Sequence, residues 1–205
     1  MNDGQPGADA LVAALDPGEF EVTPVEIHDA GAAPGIAGAA AGAIAGADVV
    51  LPGRRVEVLG LLEMAGIPYA GSGTLASAIG ADRAFTRQLA TAAGIPVAAG
   101  QTAGGHRFAC GLLADDPEPA CPDGVPDSVR RLVRAVRVAF DLAGPAVVTV
   151  LVPPAGDVCL DEIDAMPDLA PGAALAEAWS AAGLRYPALI DRVVRTALRR
   201  GPGLH

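Results

Sequence analysis

The stretch from Gly60 to Val97 constrains the fold more than any other part of the chain, because its helix boundaries can be read directly. It runs GLLEMAGIPYAGSGTLASAIGADRAFTRQLATAAGIPV. A helix over Val56–Met64 is predicted to end at Gly66, since glycine readily adopts the left-handed conformation found after helices. A second helix, from Asp82 or Arg83 through Ala93, is followed by a glycine and then a proline. Two short helices with defined ends therefore occupy this stretch.

A glycine-rich segment lies between those two helices. Gly71, Ser72 and Gly73 precede a further helix that is predicted to begin near Thr74. The amides at a helix N-terminus attract anions, so this segment could bind one. The alternative interpretation is a plain turn in which the glycines supply positive φ angles.

Strand and helix patterns alternate before this stretch. Residues 8–15 have a helical pattern that an Asp–Pro pair ends, Glu19–Ile27 alternates in strand fashion, and Asp48–Leu51 has the composition of a short buried strand. Such alternation favours an α/β sheet in the first hundred residues.

The C-terminal half contains a second set of elements. Asp127 is predicted to cap an amphipathic helix, and Ala146–Val152 with Val158–Ile163 is predicted to form a β-hairpin. A last helix covers Pro187–Arg200, and Trp179 is predicted to lie in the core. The polar side of the amphipathic helix carries Arg130, Arg131, Arg134 and Arg137. These arginines are predicted to face water, and the alternative is that they bind a phosphate group.

Composition excludes several classes of function. A chain of 205 residues with 51% hydrophobic residues can bury a real core. Its net charge of −10 argues against a nucleic-acid partner or an anionic membrane surface. All its basic residues are arginine, so a Schiff-base lysine mechanism is excluded and the usual point-charge phosphate binder is missing.

The compartment is expected to be the cytoplasm. Three cysteines without CxxC spacing argue against a disulfide framework or a zinc site, and buried or idle thiols are expected instead. The N-terminus lacks the basic and apolar regions of a signal peptide. The uncharged run Ala30–Ala47 is mostly Ala and Gly with a proline inside, so it is not expected to enter a membrane.

The best chemical constellation is LDEIDAMP, residues 160–167. Because side chains alternate along a strand, Glu162 and Asp164 project from the same face, about 6–7 Å apart. Two carboxylates so placed could share a hard divalent cation such as Mg²⁺. The alternative is a pair of exposed acids that repel each other mildly.

The stretch Gly60–Val97 resembles the end of the first domain and the start of the second in the D-alanine–D-alanine ligases of the ATP-grasp superfamily. The resemblance extends over about residues 8–100 and 106–200. It implies an α/β fold with a reduced ligase-type N-terminal domain at 1–98 and a truncated ATP-grasp remnant at 125–205. Residues 99–124 would be a shortened linker or lid remnant. It also implies ATP and Mg²⁺ as cofactors and D-alanine as substrate.

The resemblance assigns roles to individual positions. Glu162 matches the family's metal-binding glutamate and Asp164 stands where the family has a metal-binding asparagine, while the third ligand, an aspartate, falls on Thr149. An arginine that stabilises the family's tetrahedral intermediate falls on Val147. The nucleotide-contacting lysine corresponds to Arg83. At a second nucleotide-contacting position, a family glutamate is replaced by Arg107.

Four blocks of the family pattern are missing. Pro52 leads through Gly53–Glu57 almost directly into the next helix, without the family's D-alanine-binding HGxxGEDG loop, and about ten residues separate Val97 from Phe108, where the family has its phosphate-covering module. No catalytic residue is therefore assigned, and we expect the chain not to ligate D-alanine alone. Two alternatives remain. One is a non-catalytic partner that forms a homodimer or pairs with an intact ligase, and the other is a decayed or shortened sequence without a role.

Overall fold

The structure, a computed structural model, describes residues 6–25, 42, 44–98, 104–154 and 157–202. Most of Ala30–Ala47 lies outside the described residues. The helices and strands bounded within the described part are, in chain order, α1 (Pro6–Ala14), α2 (Val56–Ala65), α3 (Thr74–Ala81), α4 (Arg83–Ala92), β1 (His106–Leu112), α5 (Asp127–Ala139), β2 (Ala146–Val152), β3 (Cys159–Asp164), α6 (Ala174–Ala181) and α7 (Tyr186–Arg200). The chain is thus an α/β protein, as the sequence predicts.

The three strands form one antiparallel sheet in the order β1–β2–β3. The predicted hairpin is confirmed, since Val147 pairs with Asp164 and Thr149 with Glu162. A β-bulge lies between Thr149 and Val150, where the register shifts by one residue. The central strand AVVTVLV is uncharged and rich in β-branched residues, as expected for a strand covered on both faces.

Helices cover both faces of this sheet. The apolar stripe of α5 packs against one face, as predicted, through Val129, Leu132, Val133 and Val136. The other face is covered by α6 and α7, in a core that contains Val147, Leu175, Trp179, Leu189 and Val193. Trp179 is 5% exposed, so its predicted place in the core is confirmed.

The Gly60–Val97 stretch docks onto β3. Gly66 ends α2 with φ 65°, and the side chain of Asp82 caps α4, which confirms both predicted helices. After α4, the amide of Leu160 donates to the carbonyl of Pro96 at 2.7 Å, and the amide of Ala98 donates to Leu160 at 2.9 Å. Residues on both sides of position 98 share one core, and β1 lies within the range 99–124. The domain division at 98 and 124 stays a prediction.

A second attachment joins this stretch to the end of α7. The Arg200 guanidinium donates to the carbonyls of Gly71 at 2.8 Å, Tyr69 at 3.2 Å, and Ala143. Burial lowers the pKa of Arg200 from its usual value. Beside it the backbones of Gly71 and Gly144 come so close that a Cβ atom on Gly144 would overlap Gly71. Only glycine allows this approach.

Two predicted strands of the first hundred residues are wrong in the part described. Residues 19–25 form no strand, and Glu19 and Phe20 instead close a turn on the Asp16 carbonyl. Residues 26 and 27 lie outside the described residues. Asp48–Leu51 is reduced to one parallel bridge between Val50 and Tyr69. A strand needs a neighbour to satisfy its backbone, and the described residues provide little for these two segments.

The cysteine prediction was partly wrong. Cys110 and Cys121 are joined in a disulfide, with their Cα atoms 4.4 Å apart, and only Cys159 is a free thiol. Both bonded cysteines are buried, as expected. The pairing could not be read from spacing because it depends on an antiparallel bridge between Gly111 and Ala120, which brings the neighbouring cysteines together.

The arginines of α5 lie on its polar side and are partly or fully exposed, with the Arg134 side chain 42% exposed. Three of them hold the loop at residues 114–119: Arg130 donates to the Pro119 carbonyl at 3.3 Å, Arg134 to Glu118 at 2.6 Å, and Arg137 to the carbonyls of Ala114 and Asp116. Arg131 is exposed, without a partner among the described residues. The prediction of a solvated face is therefore incomplete, because the other three arginines also donate to the loop, and phosphate binding stays an alternative. None of the helices in the described part of the chain is long and apolar enough to span a bilayer.

Candidate functional site

The two predicted metal ligands lie on one face at the end of β3. Ile163 between them is buried, Glu162 is exposed, and the Asp164 side chain is 29% exposed. Directly across on β2, Thr149 faces Glu162 and Val147 faces Asp164. Opposed residues of an antiparallel pair share a face. The structure therefore brings together the four positions that the sequence connects with metal and intermediate binding.

Partners already occupy Asp164. Its Oδ2 accepts a hydrogen bond from Arg54 Nη1 at 2.8 Å, and its Oδ1 accepts one from the Met166 amide at 3.1 Å. Glu162 has no partner among the described residues. In the same part of the chain no group of three or more His, Cys, Asp or Glu side chains could hold a metal ion. The donor set does not fit a Mg²⁺ site, which needs several oxygen ligands.

The two nucleotide positions converge on a residue that sequence reasoning missed, Asp161. Arg107 Nε donates to Asp161 Oδ2 at 2.8 Å, and Arg83 Nη2 lies 4.0 Å from Oδ1. Asp161 sits at the β-bulge, and its side chain is only 11% exposed. Strand alternation alone could not indicate that Asp161 is the partner of these two arginines, because the bulge interrupts the alternation at this residue. Arg83, Arg107 and Asp161 are called the Asp161 cluster below.

The free thiol of Cys159 lies near this cluster. Burial, reinforced by the negative charge of Asp161, raises the pKa of the Cys159 thiol, and Arg107 opposes the rise only in part. The nucleophilic form of cysteine is the thiolate. The Cys159 thiol is therefore less easily ionised than an ordinary cysteine, because its pKa is raised.

The glycine-rich segment provides little space for a ligand. The helix after it begins at Thr74, as predicted, but the Thr74 amide donates to a Glu63 carboxylate oxygen at 3.1 Å. A cavity lined by Tyr69, Gly71 and Arg200 has a volume of about 10 Å³. That is room for about one water molecule. An amino acid does not fit there.

Comparisons with known proteins agree on one family. The family model described as D-ala D-ala ligase C-terminus matches residues 119–195. A D-alanine--D-alanine ligase of Mycolicibacterium vanbaalenii is 25% identical over 343 aligned positions, covering 96% of this chain and 93% of the relative. One of Frankia casuarinae is 27% identical and covers 77% of this chain and 68% of the relative. The first alignment is longer than this 205-residue chain, so it contains long gaps on this side.

Solved structures show the same fold. A D-alanine--D-alanine ligase from Bacillus anthracis complexed with ATP aligns with TM-score 0.79 at 16% identity, covering 98% of this chain and 94% of that one. The ligase from Coxiella burnetii aligns with TM-score 0.66 at 19% identity, over 75% and 69% of the two chains.

The chain thus has the fold of solved D-alanine--D-alanine ligases, and its residues 119–195 match the D-ala D-ala ligase C-terminus family. The chain is similar to D-alanine--D-alanine ligases over most of its length, with long gaps relative to the first of them.

Proposed function

We propose that this chain is a ligase-family protein that does not form the D-Ala-D-Ala dipeptide by itself. By descent its reaction is the ATP-dependent joining of two D-alanines for peptidoglycan precursors. In that reaction ATP phosphorylates the carboxyl group of the first D-alanine, and the amine of the second displaces the phosphate. A cytoplasmic location belongs to the same proposal.

The observation that carries the proposal is the Asp161 cluster. A triphosphate is strongly anionic, and catalysis on it depends on positive charge that is already positioned and available. Here the Nε of Arg107 donates a hydrogen bond to the Asp161 carboxylate, and Arg83 lies beside the same carboxylate. The sequence has no lysine that could add a point charge. The negative charge of Asp161 thus partly offsets the positive charge of Arg83 and Arg107, which supports the proposal.

The test is D-alanine-dependent ADP release by the purified chain with ATP and Mg²⁺. We expect no release above the level of a mock purification, while a full-length ligase in the same assay releases ADP. Arg83→Ala separates intrinsic from contaminating activity, since only intrinsic activity depends on this chain. D-alanine-dependent release that Arg83→Ala abolishes would overturn the proposal.

A second candidate is a non-catalytic partner of another ligase-family chain, either an intact ligase or a second copy. Two exposed apolar side chains on helices that pack together favour it. Met64, at the end of α2, is 90% exposed, and Leu75, in the first turn of α3, is 73% exposed. Large apolar side chains that stay exposed to water can mark contact surfaces.

Co-purification with an intact ligase from the same cell, or a dimer by size-exclusion chromatography with light scattering, supports this second candidate. Met64→Gln together with Leu75→Gln is expected to abolish the association. Val138→Gln on α5 is the matched control, since Val138 is 81% exposed on another helix. A monomer that captures no ligase contradicts the candidate.

A further inference from the structure

Arg54 reaches across the fold to the end of β3. It lies 110 positions before Asp164 in the sequence, and its Nη1 donates to the Asp164 carboxylate at 2.8 Å. We infer that Arg54 replaces the divalent cation at this strand end, so that Glu162 and Asp164 form a metal-independent pair. The inference rests on the proposed function only in taking these two residues as the family's metal positions.

The oxygen atoms left for a metal ion are too few. Asp164 uses one oxygen on Arg54 and the other on the Met166 amide. Thr149 offers a neutral hydroxyl across from Glu162, and Val147 offers none. A hard cation would hold the Glu162 carboxylate and little else. Mg²⁺ gives up its water ligands reluctantly, so such a set does not compete with water.

The charge of Arg54 acts in the same direction. Two carboxylates on one strand face repel each other and attract a cation. The positive charge of the Arg54 guanidinium offsets one of these two negative charges. It also repels a metal ion that approaches the pair. Because the interaction of point charges scales with their product, a divalent ion is affected twice as strongly as a monovalent one.

The position of Arg54 is fixed at both ends of its loop. Before it, the backbone at Val50 bridges to Tyr69, with hydrogen bonds of 2.9 Å to Pro68 and Ala70. After it, α2 begins at Val56 and buries Leu59 and Leu62 completely. The loop is short because Pro52 leads almost directly into the helix. Because this connection is short, it holds Arg54 close to Asp164. A longer loop would take a different path.

The test is binding of Mn²⁺ alone, measured as loss of the free-ion electron paramagnetic resonance signal at low ionic strength. We expect weak binding by the wild-type chain that Asp164→Asn leaves unchanged, because Asp164 is not available. Arg54→Gln is expected to raise the Mn²⁺ affinity about tenfold. Combining it with Asp164→Asn removes that gain. Arg131→Gln, which removes an exposed arginine of α5, leaves the affinity unchanged.

Arg54→Lys gives an independent measurement, because it keeps a positive charge and is expected to bind Mn²⁺ as weakly as the wild-type chain. Circular dichroism checks that each variant is folded. If Arg54→Gln fails to fold, the comparison of wild type with Asp164→Asn still decides. Wild-type binding that Asp164→Asn weakens, or equal affinities for wild type and folded Arg54→Gln, overturns the inference. No measurement uses ATP or D-alanine, so it can fail while the proposed lack of ligation holds.

Discussion

Glu63 Oε1 accepts a hydrogen bond from the Tyr69 hydroxyl at 2.7 Å, and the same oxygen accepts the Thr74 amide at 3.1 Å. One carboxylate thus joins the end of α2, the loop after it and the first turn of α3. A negative charge at a helix N-terminus is favourable because of the helix dipole. The anion that the glycine-rich segment could attract is supplied by the chain itself.

Both tyrosines of the chain are expected to ionise above the ordinary pKa of a tyrosine. Burial raises the pKa of Tyr69, and the hydrogen bond to Glu63 adds to the rise. Burial, followed by the charge of Asp168, raises the pKa of Tyr186. We expect the native protein to show clearly less tyrosinate absorbance at 295 nm near pH 10 than the unfolded chain, which is about half ionised there. Normal titration of one tyrosine in the folded chain contradicts this prediction.

The raised pKa of Tyr69 also predicts a loss of stability in alkali. Its contribution is complete below about pH 10, the unfolded pKa, and is lost as the pH rises from there through the native pKa. Urea unfolding of the wild-type chain at pH 8 and pH 11 should therefore give a lower free energy at pH 11. Tyr69→Phe should show a smaller difference between the two pH values. An equal difference in both proteins would show that other groups cause the alkaline loss.

Reduction of the Cys110–Cys121 disulfide is expected to destabilise the fold. The bond spans a sequence separation of 11 residues, and closing a loop of this size contributes about 2–3 kcal/mol. We expect a reducing agent to lower the midpoint of thermal unfolding of the wild-type chain. The double variant Cys110→Ala and Cys121→Ala should be insensitive to the reductant. Cys159→Ser should respond as the wild type does, because its thiol is not bonded.

The sequence predicted the elements whose signals are local. Gly66 and Asp82 mark helix ends that the structure reproduces within about one residue, and the β2–β3 hairpin follows from two apolar runs around a turn. Asp127 lies in the first turn of α5 rather than at its cap, which Pro126 occupies. These features depend on the conformational preferences of a few neighbouring residues.

The features that the sequence missed depend on contacts between distant segments. Arg54 meets Asp164 across 110 positions, and Arg107 meets Asp161 across 54. Ion pairs between distant segments leave no periodic pattern in the sequence. The sequence of a helix also does not tell whether its arginines face water or contact a loop. The face shared by Glu162 and Asp164 could be predicted from alternation, but their partners could not. The assignment of Glu162, Asp164 and Arg83 to metal and nucleotide therefore stays a prediction.

Asp115, in the loop at residues 114–119, should contribute to the loss of stability at low pH. Burial alone would raise the pKa of Asp115, but the hydrogen bond and charge of Arg192 outweigh it and hold the pKa below its usual value. The resulting stabilisation is complete above the unfolded pKa of about 4 and is lost as the pH falls through the lower native pKa. The free energy of unfolding should fall between about pH 4 and pH 2.

Arg192→Met tests this prediction. Arg192 donates to Asp115 at 3.0 Å and to Asp116 at 3.1 Å, and its guanidinium lies 5.5 Å from the Trp179 ring centre. Methionine keeps an apolar stem but no donor, so we expect a loss of about 1–3 kcal/mol at pH 7 and a smaller loss at pH 2. Arg131→Met on α5 should leave the free energy of unfolding unchanged at both pH values. An Arg192→Met loss that is the same at both pH values would indicate a packing effect instead.

The contact between Gly71 and Gly144 should tolerate no side chain. A Cβ atom on Gly144 would lie 2.6 Å from the Gly71 Cα and overlap its carbonyl group, and both obstacles are backbone that cannot rotate away. Gly144→Ala should therefore cost at least about 2 kcal/mol, which lowers the unfolding midpoint by roughly 4 °C or more in a chain of this size. Gly53→Ala is the matched control, because no atom lies within 4 Å of its Cβ position. It should stay within about 0.5 kcal/mol of the wild type. Equal midpoints for the two variants, measured by differential scanning calorimetry, would mean that the segment holding Gly71 separates in solution from the turn before β2 that holds Gly144.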